Sequence, residues 1–178
     1  MSLMAFESAD QRIRGAVVGI VTDVNDPDEL GRVEIELPWY ASGYREWARV
    51  SHFYAGPGYG DTWVPEVDGE VLVLFAHGDM RFPFVVGCLY SPVDEPPESR
   101  SDSSDVRTIL TPKGSELRFD ETNQVITLKT QSGASIELDE QSGELTLEAT
   151  SKITIKAADI SIEASNSVKV HGTSIALN

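Results

Sequence analysis

The chain is poor in the residue types that staple, anchor or catalyse. A single cysteine, Cys88, stands among 178 residues, so no intramolecular disulfide can cross-link the fold. Its place in the apolar run Phe84-Val85-Val86-Gly87-Cys88-Leu89 predicts a small buried hydrophobe, with no low-pKa surroundings to make it a reactive thiol. Basic residues are scarce: 14 Lys and Arg face 29 Asp and Glu, a formal net charge of −15. Neutralising a phosphate backbone takes clustered cations, so nucleic acid is not an expected partner, and a cationic membrane anchor is disfavoured on the same ground. No apolar stretch approaches the roughly 20 residues that a membrane-spanning helix needs. The start, Met1-Ser2-Leu3-Met4-Ala5-Phe6-Glu7, lacks a basic region followed by an apolar one, so no Sec-type leader is recognised. The three histidines, His52, His77 and His171, are too scattered for a catalytic pair or a local ligand set.

What remains is an ordered composition, 40% hydrophobic and 24% charged, with two kinds of punctuation. Residues 91–105, rich in Pro, Ser, Asp and Glu, have almost nothing to bury and read as a linker. The expected layout is an N-terminal tail (1–11), a barrel domain (12–90), the linker (91–105) and a repetitive spike (106–178). Five candidate strands precede the linker: residues 15–24, 32–37, 47–53, 70–76 and 82–89. In the second, Val33, Ile35 and Leu37 alternate inward against Arg32, Glu34 and Glu36, and Pro38 stops it. The last two flank a hairpin-like turn, His77-Gly78-Asp79. Five short strands without a helical period predict a small antiparallel barrel, and the oligonucleotide/oligosaccharide-binding (OB) type is the commonest of that size.

Beyond the linker the sequence repeats. Gly114-Ser115-Glu116-Leu117-Arg118-Phe119-Asp120-Glu121 returns nineteen residues later as Gly133-Ala134-Ser135-Ile136-Glu137-Leu138-Asp139-Glu140, and Ile126-Thr127-Leu128 returns as Leu145-Thr146-Leu147. The period then shortens to seven or eight, with Ile153 and Ile155, Ile160 and Ile162, Val168 and Val170, then Ile175 and Leu177. Strands that point only two large apolar side chains inward cannot enclose a core in one sheet, so the units must stack on one another or on other chains. Three chains wound about one axis supply three faces and pair every strand edge. The fold class expected is therefore all-β: a five-stranded OB barrel, then an intertwined triple-stranded β-helix in a homotrimer.

The order of motifs also resembles a known family. Asp26-Pro27 with Gly31-Arg32-Val33-Glu34-Ile35, Leu37-Pro38-Trp39, Trp47-Ala48-Arg49-Val50, the Gly56-Pro57-Gly58-Tyr59-Gly60 loop, Pro65-Glu66-Val67-Asp68-Gly69-Glu70-Val71, and Gly78-Asp79 followed by Pro83-Phe84-Val85-Val86-Gly87 resemble phage baseplate assembly protein V and the OB portion of the type VI valine-glycine repeat protein G. The resemblance implies a structural central spike of a contractile injection machine, without enzymatic activity or cofactor. Its implied partners are two further copies of itself, a hub protein above the OB domain, inner tube and baseplate proteins, a PAAR-repeat-type tip protein at Ile175 and Leu177, and transiently the target envelope. Such a protein is made in the cytoplasm and built into a phage tail, an extracellular particle or a secretion apparatus. No lysozyme domain separates barrel from spike, and no hub domain precedes the barrel, so hydrolysis of peptidoglycan is not implied and a separate hub is expected. Some spike tips of this family hold iron with an His-x-His pair from each chain. Here Val170-His171-Gly172 offers one imidazole per chain, and no metal is expected.

The expected core of the spike comprises Leu117, Phe119, Ile126, Leu128, Ile136, Leu138, Leu145, Leu147, Ile153, Ile155, Ile160, Ile162, Val168 and Val170. Trp39 and Trp63, among the aromatics flanking the barrel, are expected to contact a hub. The competing reading makes them a glycan platform in an adhesin whose β-helix is a stalk. Three other patterns read as structural. Residues 25–36 end in Glu36 as a calcium loop would, but Pro27 and Leu30 spoil the ligand positions, leaving a hairpin turn. Gly56, Gly58 and Gly60 lack a following Gly-Lys-Ser/Thr and form a loop without phosphate chemistry. Asp139, Glu140, Glu144 and Glu148 read as solvated skin without a cleft to separate their pKa values.

Overall fold

The computed structural model describes residues 12–98 and 105–176. They form two compact units that divide between Pro96 and Pro97. The first contains β1 (Val17–Asp23), β2 (Arg32–Leu37), β3 (Ala41–Val50), the short pair β4 (Ala55–Gly56) and β5 (Tyr59–Gly60), β6 (Glu70–Phe75) and β7 (Pro83–Cys88). Five of these close a barrel in the order β1-β2-β3-β7-β6. The wholly antiparallel barrel expected from sequence is corrected at one seam: β3 and β7 run parallel, with Arg49 opposite Phe84 and Val50 opposite Val85. Parity requires it. Strand direction reverses across each antiparallel seam, and a closed ring of five strands cannot reverse at every one. The third strand also starts earlier than expected, at Ala41, because a register shift after Glu36 lets Leu37 pair with Ala41 across a tight turn.

The interior follows from alternation. Val33, Ile35 and Leu37 are fully buried, joined by Val21, Ala48, Val71, Val73 and Val85. These branched side chains fit a pleated, closely packed surface and leave little room in the centre. Gly19 faces that interior from β1: a Cβ there would lie 3.1 Å from Val73 Cγ2 and 3.2 Å from the Glu36 carbonyl oxygen. The β6–β7 connection is a 3-10 turn, Ala76–Gly78, in which His77 takes φ 54°. Cys88 departs from its expected burial. It closes β7, where the strand ends and the interior is no longer covered, and it is exposed. Neighbouring apolar atoms still push its thiol pKa up, away from a reactive thiolate.

The second unit is an antiparallel meander of β8 (Val106–Leu110), β9 (Glu116–Asp120), β10 (Val125–Lys129), β11 (Ser135–Asp139) and β12 (Glu144–Glu148), paired in chain order. The nineteen-residue repeat is one hairpin with both of its turns. Gly114 N–H donates to Thr111 O at 2.9 Å and Gly133 N–H to Thr130 O at 3.0 Å, both glycines having positive φ. At the other end Asn123 N–H donates to the Asp120 carboxylate at 2.9 Å and Ser142 N–H to that of Asp139 at 3.1 Å. Turns this short return each strand beside its predecessor, so residues 106–148 pair within one chain where pairing between chains was expected. The later units, expected as short strands, carry no assigned strand over the described residues 149–176. Among the described residues no helix is long and apolar enough to cross a membrane.

Candidate assembly surface

Register turns the meander into a two-faced sheet. Side chains directly opposite each other share a face, as do alternate residues along a strand. One cross-strand row therefore reads Ile109, Leu117, Leu128, Ile136, Leu147, and the adjacent row reads Arg107, Phe119, Ile126, Leu138, Leu145. The opposite face carries Thr108, Arg118, Thr127, Glu137 and Thr146 in its central row. Nine of ten positions in the first two rows are apolar, yet no described residue of the second unit is buried. Leu128, Leu145 and Leu147 are 49%, 59% and 52% exposed. A hollow of about 300 Å³ opens over Leu128, Ile136, Leu147 and Ile153. Ile109 belongs to this face as well. The sequence argument missed it because Val106-Arg107-Thr108-Ile109-Leu110 precedes the recognisable repeat and its register is fixed only by pairing.

The remaining positions expected in the spike core lie in the segment without strands, and all are exposed: Ile153, Ile160 and Val168 by about half, and Ile155, Ile162 and Val170 by about two thirds. Ile175 is 54% exposed, and Leu177 lies outside the described residues. His171 is exposed, and no cluster of metal-ligating side chains forms among the described residues. Large apolar residues left exposed in this number form an apolar surface of the kind that binding partners cover.

The barrel presents a different chemistry. Trp39 and Trp63 are exposed: Trp39 follows β2 in the turn to β3, and Trp63 lies beyond the β4–β5 hairpin. The glycine loop is that hairpin, with the Tyr59 ring lying against Gly56 and stacked near Tyr54 at 5.3 Å. Asp61 secures its base, accepting from Tyr54 N–H at 2.6 Å and facing His52 Nδ1 at 3.3 Å. The backbone donor, with the smaller help of His52, lowers the Asp61 pKa. The supposed calcium loop is held by its own ion pair. Asp26 accepts from the backbone N–H groups of Asp28, Leu30 and Arg32, and the Arg32 guanidinium lies 2.6 Å away. Arg32 holds its carboxyl far below the usual range, and its oxygens are already occupied. Tyr44 is pushed up to about 12 by burial while its hydroxyl donates to Met80 O at 2.7 Å. Asp79 is lowered to about 2 by Arg81.

Beside these, β2, β3 and the β6–β7 connection frame a cleft of about 550 Å³ that sequence reasoning did not find. Arg32 lies over Trp47 at 5.8 Å, Arg49 over Phe84 at 5.4 Å and Arg81 over Phe82 at 5.7 Å. Alternation places Arg32, Trp47 and Arg49 outward, but their meeting with Phe82 and Phe84 depends on the parallel seam.

Comparison with known proteins adds to this geometry. Residues 17–90 match the model of the type VI secretion system/phage-baseplate injector OB domain. A type VI secretion system spike protein of Pseudomonas aeruginosa is 34% identical over 120 residues, covering 62% of this chain and 14% of the relative. A type VI secretion system spike protein of Vibrio cholerae is 34% identical over 88 residues, 47% of this chain and 9% of the relative. An actin cross-linking toxin of Vibrio cholerae is 40% identical over 75 residues, 39% of this chain and 7% of the relative. The chain spans far less than half the length of the curated relatives it matches.

Proposed function

We propose that this chain, which belongs through its barrel to the type VI secretion system/phage-baseplate injector OB-domain family, is the structural central spike of a contractile injection machine. The observation that supports the proposal is the apolar face of the meander, nine hydrophobic side chains backed by a polar face, none of them buried among the described residues. Three chains that turn these faces inward form a closed prism with a dry axis. Leu117, Phe119, Ile126, Leu128, Ile136, Leu138, Leu145 and Leu147 then line its upper part. Ile153, Ile155, Ile160, Ile162, Val168 and Val170 continue the axis in an intertwined triple-stranded β-helix, each strand pairing with neighbouring chains. Such pairing spreads a bending load over many backbone hydrogen bonds and leaves no free edge.

In this reading residues 12–90 dock beneath a hub, with Trp39 and Trp63 as contacts, residues 91–105 join barrel to needle, and residues 106–178 lead the inner tube through the target envelope. Ile175 and Leu177 seat a PAAR-repeat-type tip protein. The role is mechanical, not enzymatic: the toxin name among the relatives belongs to a protein of which only 7% is aligned. The adhesin reading is not favoured beside relatives that are spike proteins. Native mass spectrometry tests the proposal directly. It requires three times the 19.4 kDa chain mass, and a monomer at micromolar concentration overturns it. Co-purification with a tip protein is expected to disappear when residues 175–178 are deleted.

A further inference from the structure

The arginine–aromatic cleft on the barrel has no part in the apolar needle. Its central row is unfavourable as it stands. Arg32 and Arg49 are directly opposite across β2 and β3, and like charges in that position repel. Arg32 is neutralised by Asp26 and Asp28, each at 2.6 Å, and Arg81 by Asp79 at 2.6 Å. Arg49 is exposed, has no carboxylate partner among the described residues, and lies over the Phe84 ring. Neither nearby glutamate pairs with Arg49 among the described residues, although Glu46 also lines the cleft. Glu34 accepts from Thr22 Oγ1 at 2.7 Å and faces Arg45 at 3.4 Å, and Glu46 accepts from the Trp47 N–H at 3.0 Å. In a chain with twice as many acids as bases, an arginine with no carboxylate partner among the described residues stands opposite another arginine. It stands over an aromatic floor, beside the half-exposed ring of Phe82 and the exposed Leu30. A local rule broken in this way marks a functional surface.

We propose that this cleft binds an acidic peptide segment of a partner protein, with a carboxylate on the Arg49 guanidinium and a neighbouring apolar side chain against Phe82 and Phe84. The chemistry is complementary on both counts. A planar guanidinium already oriented by a ring takes a carboxylate through two parallel hydrogen bonds with little loss of rotamer freedom. The cleft volume of about 550 Å³ suits a few side chains rather than a whole domain. A nucleic-acid backbone would meet the same guanidinium, so oligo-dT is the competing arm of the test.

The test uses the full chain and isothermal titration with the peptide acetyl-Glu-Phe-Asp-Leu-Glu-amide, its analogue with Lys at each acidic position, and a ten-residue oligo-dT. Saturable binding is expected for the acidic peptide alone, weakening as salt is raised. Arg49→Gln should lower its affinity at least about tenfold, the loss of a charge-assisted hydrogen bond, while Arg45→Gln, outside the cleft, leaves it unchanged. Because Arg49 opposes another arginine, Arg49→Gln should leave the melting temperature equal or higher. No binding by the acidic peptide, or tighter binding of oligo-dT, overturns the proposal. So does a fall in melting temperature of more than about 4 °C in Arg49→Gln, which would make Arg49 a structural residue.

Discussion

Replacing Leu128 by glutamate distinguishes an unpartnered sheet from a wall of an assembled needle. In the single chain Leu128 is 49% exposed, and the hollow beside it is bounded by Ile136, Leu147 and Ile153. Fully burying a leucine is worth about 1.5–3 kcal/mol, so half of that, about 1 kcal/mol, remains to be gained when a second chain covers it. If the face stays in water, Leu128→Glu costs about 1 kcal/mol of sheet stability and changes no association. If three copies bring the face to a common axis, each introduces an uncompensated buried carboxylate costing about 3–5 kcal/mol. Threefold symmetry makes that about 10 kcal/mol per assembly, or about seven powers of ten in the assembly equilibrium at 1.4 kcal/mol per factor of ten. Light scattering coupled to size exclusion should therefore find a trimer for the parent chain and for Thr127→Glu, which changes the other face, and no trimer for Leu128→Glu. A Leu128→Glu variant that keeps the parent's mass refutes the inward orientation of this face.

Other perturbations address the two units separately. Gly19→Ala forces a methyl to within 3.1 Å of Val73 Cγ2 and 3.2 Å of a strand carbonyl, and should cost about 1–3 kcal/mol in a denaturation midpoint of the barrel. In the meander Gln124 holds φ 55° where Gly143, nineteen residues later, holds φ 70°. Gln124→Gly should stabilise the sheet by about 0.5–1 kcal/mol, and Gly143→Ala should destabilise it by about 1 kcal/mol, both read by urea unfolding. Acid should weaken the barrel through two carboxylates. Asp26 and Asp79 are lowered in the folded state from 3.8, Asp79 to about 2. Their contribution is complete above the unfolded value and is lost as pH falls from about 4 towards 2. Melting temperature should drop over that window, and the drop should shrink in Asp26→Asn; an unchanged profile would show that the Asp26–Arg32 pair does not hold the loop.

The sequence revealed much of the barrel because its signals are local. Val33, Ile35 and Leu37 declare a buried face by alternation, and Pro38 and the Asp26 loop declare where β2 stops and starts. Closure is non-local, and the parallel seam had to be recovered from the parity of five strands. The cleft depends on that seam, which brings Phe84 beside Arg49, and so it was invisible to a residue-by-residue reading. Cys88 was misplaced because an apolar run marks a strand without marking where its burial ends. The later repeats show a sharper limit. Leu117 and Phe119, or Ile136 and Leu138, have the same two-residue apolar spacing as Ile153 and Ile155. What separates them is the intervening chemistry: Thr111-Pro112-Lys113-Gly114 and Thr130-Gln131-Ser132-Gly133 satisfy their own backbone groups and reverse the chain. Ala157-Ala158-Asp159 and Ala164-Ser165-Asn166-Ser167 supply no such glycine-closed turn. A strand with a reversing turn finds its partner in its own chain, whereas residues 149–176, without one, carry no assigned strand. In the proposed trimer the change from paired to unpaired segments near residue 149 is where strand partners pass from the same chain to neighbouring ones.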